Sequence, residues 1–286
     1  MNTQFWVIQA FNGISYGALL FLVGSGLSLI FGVMRIVNLA HGAYFLWGGY
    51  IALSVIAATG SWALSLPVAA LAVAIIGLVM ERVFLRPLGF DPLRQVLLTV
   101  GFAFLFQQAA LDIWGGNNMD IDPGQAFNNS IVIGGIYFPL YRVFMIVMAI
   151  AIGIVLWLVM EKTRMGAAVR ATVDDAQMAR GVGIDTNRIS MFIFALGAFL
   201  AALGGVIGGA FLGVYPGLDF EMLPLAFAVV IIGGMGSLGG AAIGALAVGL
   251  ADNFGKALIP EISYFTLYAP MVLILAIKPT GLFGRE

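Results

Sequence analysis

Residues 43–80 read AYFLWGGYIALSVIAATGSWALSLPVAALAVAIIGLVM and hold no charged side chain. A bilayer core of about 30 Å is crossed by roughly 20 apolar residues in a helix rising about 1.5 Å per residue. The stretch is too long for one crossing and too apolar for water. It divides at Thr59, Gly60, Ser61 and Trp62, a turn-like cluster. Backbone groups cannot stay unpaired in lipid, so both halves must be helices. A closed barrel would need strands of about 9–11 residues alternating in polarity. These runs are apolar on both faces.

Working outward, further uncharged runs occupy residues 13–34, 96–111, 143–160, 191–212, 222–251 and 262–277. The expected fold class is therefore all-α, a polytopic membrane protein of about 8–9 transmembrane helices in one domain spanning 1–286. The run 222–251 is interrupted by Gly233, Gly234, Gly236, Ser237, Gly239 and Gly240. Two crossings there would give nine in all and place Lys278 and Arg285 inside. One crossing, or a re-entrant loop, would give eight. The two-crossing reading is preferred.

Composition agrees: 62% of residues are hydrophobic and 9% charged, against about 45–50% and about 25% in a soluble domain. A net charge of −1 gives no reason to expect nucleic acid. With no cysteine and His41 as the only histidine, there is little from which to build a metal site or a catalytic constellation. No cofactor is expected. An ion-driven transporter or channel would need charged groups deep in its spans, and none sits at the centre of any run.

Lys and Arg set the orientation. Arg82, Arg86 and Arg94 occupy one loop; Lys162, Arg164, Arg170, Arg180 and Arg188 occupy another. Both should be cytoplasmic. The external loop, 112–140, opens with Asp112, Asp120 and Asp122, and the 215–221 loop carries Asp219 and Glu221. Both should face outward, which puts the N-terminus outside.

The charged loop 160–190 is the most informative segment. Gly166 to Arg180 reads as one helix of good helix formers such as Ala167, Ala168, Ala171 and Met178. Gly181 stands where a C-cap glycine belongs, with Arg180 in the last turn. Arg170, Asp174, Asp175 and Arg180 rim a small apolar face suited to a groove on another protein. The plainer reading is a solvated loop that only fixes topology. Asp175, Ala176 and Gln177, followed after three residues by Gly181, resemble the Glu-Ala-Ala-x-x-x-Gly loop by which ABC importer permeases dock onto their ATPases. Asp175 replaces Glu, and Gln177 replaces Ala.

Other segments extend that resemblance. Met34, Arg35, Ile36, Val37, Asn38, Leu39, Ala40, His41 and Gly42 resemble the first signature of the leucine/isoleucine/valine permease family. Glu81 and Arg82, with Arg86, Pro87 and Leu88, resemble its next block, and Leu98, Thr99, Val100 and Gly101 with Gln107 the following span. Arg164 to Ile184 resembles the family's coupling loop, with Arg170 and Ala171 ahead of Asp174. The glycine run from Val230 to Gly244 and the ending from Pro279 to Gly284 complete the order. The chain resembles the first of the family's two permease subunits.

The resemblance implies a bacterial inner-membrane location and a partner set. These are a second related permease, giving a heterodimer in the lipid, two cytoplasmic ATPase subunits, and a periplasmic substrate-binding protein. The chain itself lacks the Gly-x-x-x-x-Gly-Lys-Ser/Thr phosphate loop, so it is not expected to be an enzyme. The substrate class implied is branched-chain or other hydrophobic amino acids. Relatives handling urea, short amides or other small acids leave that open.

Candidate pathway residues are Asn38, His41, Gly42, Gln107, Gly233, Gly234, Gly236 and Ser237. Polar groups at membrane depth often line a route. Asn38 and His41 equally suit local bonding at a helix break, and Gln107 and Gln108 suit interhelical bonds. The glycine run suits either a broken pathway helix or tight packing on a partner. Candidate ATPase-coupling residues are Gly166, Arg170, Ala171, Asp174, Asp175, Ala176 and Gly181. Asp252 and Asn253 read as interfacial.

Overall fold

A computed structural model describes residues 3–89, 91–278 and 280–284. Seven helices are long and apolar enough to cross a membrane, counted among the described residues. They are α1 (Thr3–Met34), α2 (His41–Thr59), α3 (Trp62–Val79), α4 (Pro92–Trp114), α5 (Leu140–Lys162), α8 (Thr186–Leu212) and α10 (Leu238–Leu258). α6 (Arg164–Asp174) and α7 (Ala176–Gly181) fill the charged loop. The shorter helices α9 (Leu218–Gly233) and α11 (Ser263–Ile277) are also apolar.

Local chemistry sets the breaks. Gly60 ends α2 in the left-handed region, and the Ser61 side chain accepts the Leu64 N–H to start α3. Asp91 caps α4 ahead of Pro92, and Asp185 caps α8. α3 runs on through a π-helical turn, Met80–Leu85. The run 222–251 is two antiparallel helices, α9 and α10, joined by a tight turn at residues 234–237. α1 begins well before residue 13, where the uncharged run starts, because nothing in Thr3 to Asn12 stops a helix.

α1 and α8 form the centre, α1 largely buried from Gly13 to Ile30 and α8 through most of its length. α1 packs against α10, α8, α5 and α9, and α8 against α2 and α3. Small residues permit this. Gly26 faces the Gly197 carbonyl, and Gly205 faces that of Phe45, so a methyl group at either would force the helices apart. Around this centre, α3, α4 and α5 present Leu71, Ile75, Leu97, Phe104, Val147 and Ile154 outward, as lipid-facing surfaces do.

Loops of like charge share an end. Arg86, in the first basic loop, donates to the Asn187 carbonyl at 3.3 Å, just past the second. At the other end Met119 and Val214 exchange two backbone bonds, at 2.9 and 2.7 Å, joining the two acidic loops. A hairpin interrupts the all-helical pattern there: β1 (Ser130–Ile133) pairs antiparallel with β2 (Ile136–Pro139) across Gly134 and Gly135. The chain's last described residues return to the basic end, where Leu282 and Phe283 donate to the Ile232 and Gly233 carbonyls, both at 3.0 Å. Pro279 and Arg285, which figured in the sequence reading, lie outside the described residues.

Candidate transport pathway and coupling loop

Residues 36–40 are not helical. They double back along α1 from Met34 until His41, the first residue of α2, donates from Nε2 to the Val23 carbonyl at 3.0 Å. Val23 lies eleven residues up the helix from Met34, so the His41 side chain meets α1 about 16 Å from its end at helical rise. Irregular backbone at such depth must be satisfied by protein or water. The Thr99 hydroxyl accepts the Leu39 N–H at 3.2 Å, and Asn38 Oδ1 accepts that of Ala40, also at 3.2 Å. Arg35 turns the chain with φ 54°.

Asn38 and His41 are fully buried, yet Asn38 Nδ2 and His41 Nδ1 have no hydrogen-bond partner. Local bonding accounts for one polar atom of each side chain. Gly42 lies so close to the Asp219 carbonyl that only glycine fits, and this brings the starts of α2 and α9 together. Asp219, in the loop expected to face outward, is buried in the first turn of α9, with Oδ1 unpartnered. Tyr215 beside it donates to Glu221 at 2.9 Å. Burial first, then that carboxylate, pushes the phenol up to about 12.

Gln107 is half-buried on α4, and exposed Gln108 donates within its own helix to Asp112 at 2.9 Å. Gly233, Gly234, Gly236 and Ser237 form the α9–α10 turn. Gly234 and Gly236 have φ of 102° and 80°, which suits glycine alone. Ser237 caps α10 by accepting the Gly240 N–H at 3.0 Å. Asp252, near the end of α10, is buried and pairs with the exposed Lys256 at 2.8 Å.

The coupling loop departs from one continuous helix. Asp175 is extended and accepts the N–H groups of Gln177 and Met178, at 2.8 and 2.9 Å. It therefore ends α6 and caps α7. Gly181 lies within α7 rather than after it, and the left-handed glycine is Gly183, φ 88°. Gly166 sits against the Val159 and Met160 carbonyls, where a side chain would not fit. Arg170 donates to the Met160 carbonyl and pairs with Glu161 at 3.5 Å, folding α6 back onto α5.

Apart from Gln107, the predicted residues thus fall into two groups. Arg170 and Asp174 face Gly236 and Ser237 across a cleft of about 880 Å³, which Arg35, Trp157 and Phe283 also line. A second cleft of about 460 Å³ runs from Arg35 to Asp174, Asp175, Ala176 and Arg180. Asn38, His41 and Gly42 form the separate buried group. The sequence reading missed Thr99, Arg35 and Asp219 as parts of the site. Arg35 carried one usable signal, a lone cation between two apolar runs. The described residues hold no group of three or more potential metal ligands.

Comparison with known proteins gives one family, described as "Branched-chain amino acid transport system / permease component", which matches residues 9–275. The high-affinity branched-chain amino acid permease LivH of Escherichia coli is 30% identical over 100% of this chain and 98% of its own. BraD of Pseudomonas aeruginosa, named for the same transport, is 30% identical over 97% and 95%. A probable LivH of Methanocaldococcus jannaschii is 26% identical over 96% and 91%. No solved structure matches.

Proposed function

The chain belongs to the branched-chain amino acid transport permease family, and from that premise we propose that it carries branched-chain or other hydrophobic amino acids through the membrane by alternating access. It is a multi-pass permease subunit of an ABC importer, and transport rather than catalysis is its work. In this reading a second permease completes the pathway, two ATPases grip α6 and α7 from the cytoplasm, and a binding protein delivers substrate to the acidic end.

The observation that carries the mechanism is the cleft between the coupling loop and the α9–α10 turn, where Arg170 and Asp174 face Gly236 and Ser237. Movement of α6 then widens or narrows this cleft beside a turn shaped by glycines. The substrate class rests on the relatives and on the scarcity of charge inside the bundle. An apolar side chain needs only weak contacts along such a route, and weak contacts allow release.

Reconstitution with the partner subunits tests this. Uptake of leucine, isoleucine and valine is expected only with hydrolysable ATP. Uptake without it would overturn the importer reading, and ATP-dependent uptake of urea or amides alone would overturn the substrate.

A further inference from the structure

The block Glu81, Arg82, Arg86, Pro87 and Leu88 has no part in the mechanism above, yet it holds a buried carboxylate. Glu81 is 2% exposed and lies in the π-helical turn that ends α3. Such turns are rare and frequent at functional sites. Both carboxylate oxygens are taken by Arg86: Nη2 reaches Oε2 at 2.9 Å, and Nε reaches Oε1 at 3.4 Å. The same Nη2 donates to the Asn187 carbonyl at 3.3 Å. Asn187 is the second residue of α8, immediately after the coupling loop.

On its other side the turn leads to the buried re-entrant segment. Met80, next to Glu81, accepts the Tyr44 hydroxyl on its sulfur at 2.8 Å. Tyr44 is buried and meets the His41 ring edge-on at 6.1 Å. His41 ends the chain of contacts on the Val23 carbonyl. An unbroken series of bonded or packed groups therefore joins the exit of the coupling loop to the middle of α1.

We propose that the Glu81–Arg86 pair is a positioning element that carries movement of the coupling loop to the buried segment 36–41, a role that rests on the importer reading. The chemistry suits it. A guanidinium can hold a carboxylate and a carbonyl at once in fixed geometry. A buried carboxylate deprived of its partner is strongly unfavourable, so the pair moves as a unit or not at all. Contiguity alone is no proof of coupling, so the test is a mutant cycle.

Wild type, Glu81→Gln, Arg86→Lys, the double variant Glu81→Gln/Arg86→Lys and Tyr44→Phe would be reconstituted with the partner subunits. Substrate taken up per ATP hydrolysed is measured beside the yield of assembled complex. Arg86→Lys keeps the charge beside Glu81, and Tyr44→Phe cuts the path at its far end, so neither leaves a carboxylate unpaired. Each variant is expected to lower uptake per ATP about tenfold, within the usual span of coupling energies. Yield should stay at wild-type level, and the double variant should be no worse than either single change. Wild-type uptake per ATP in the variants would overturn the proposal, as would uptake, hydrolysis and yield falling together. If wild-type uptake itself needs no ATP, the importer reading fails first.

Discussion

Arg35 is the only non-glycine among the described residues with a positive φ. That conformation costs an L-residue about 1–2 kcal/mol. Glycine avoids the cost but loses more freedom on folding, so Arg35→Gly should be at least as stable as wild type. Arg35→Val, with a β-branched side chain in the same region, should lose about 1–2 kcal/mol. Thermal unfolding in detergent reads both, and the reverse order would mean that the reversal after α1 is made differently. Single residues were legible in the sequence when they broke an apolar background, as Asn38 and His41 do. Thr99 was not. A hydroxyl inside a helix looks the same whether it bonds its own turn or a segment sixty residues away, and only the fold brings Leu39 to it. Asp219 was legible only as one acid of a short loop; its place in a helix start pressed on Gly42 comes from the fold.

At the scale of elements, spans were readable because lipid leaves the backbone few choices, and Thr59 to Trp62 broke where turn chemistry put them. The coupling loop was readable as an element but not in its break. Good helix formers flank Asp175 on both sides, and an aspartate can sit in a helix or cap the next one; the contacts of α6 with α5 decide for the cap. Three substitutions separate the two descriptions. Asp175→Ala removes the cap of α7 at a cost of about 1 kcal/mol. Gly183→Ala should cost about 1 kcal/mol or more at its left-handed φ, while Gly181→Ala, with open space around it, should be close to neutral. Hydrogen exchange across residues 164–183 measures all three. Equal effects at Gly181 and Gly183 would restore the single helix capped by Gly181.

For the molecule as a whole, charge alone sorted the loops into two sets, and each set shares an end of the bundle. Which end faces the cytoplasm can be read by labelling, since the sequence has no cysteine to confuse it. Asn129→Cys and Met178→Cys place thiols at exposed positions on opposite ends. An impermeant thiol reagent is expected to mark the first in intact cells and the second only after the membrane is broken; the reverse pattern would invert the topology. What charge and hydropathy could not reveal is who neighbours whom. α1 is enclosed by α8, α9 and α10, helices from the far half of the chain. Its glycines, among them Gly17, Gly24 and Gly26, are notches cut for partners synthesised much later. During synthesis those notches face lipid tails, which cannot fill them. Insertion and folding are therefore separate events for this protein, and a nascent chain halted before Thr186 would already be anchored in the bilayer while most of the helices that enclose α1 were still missing.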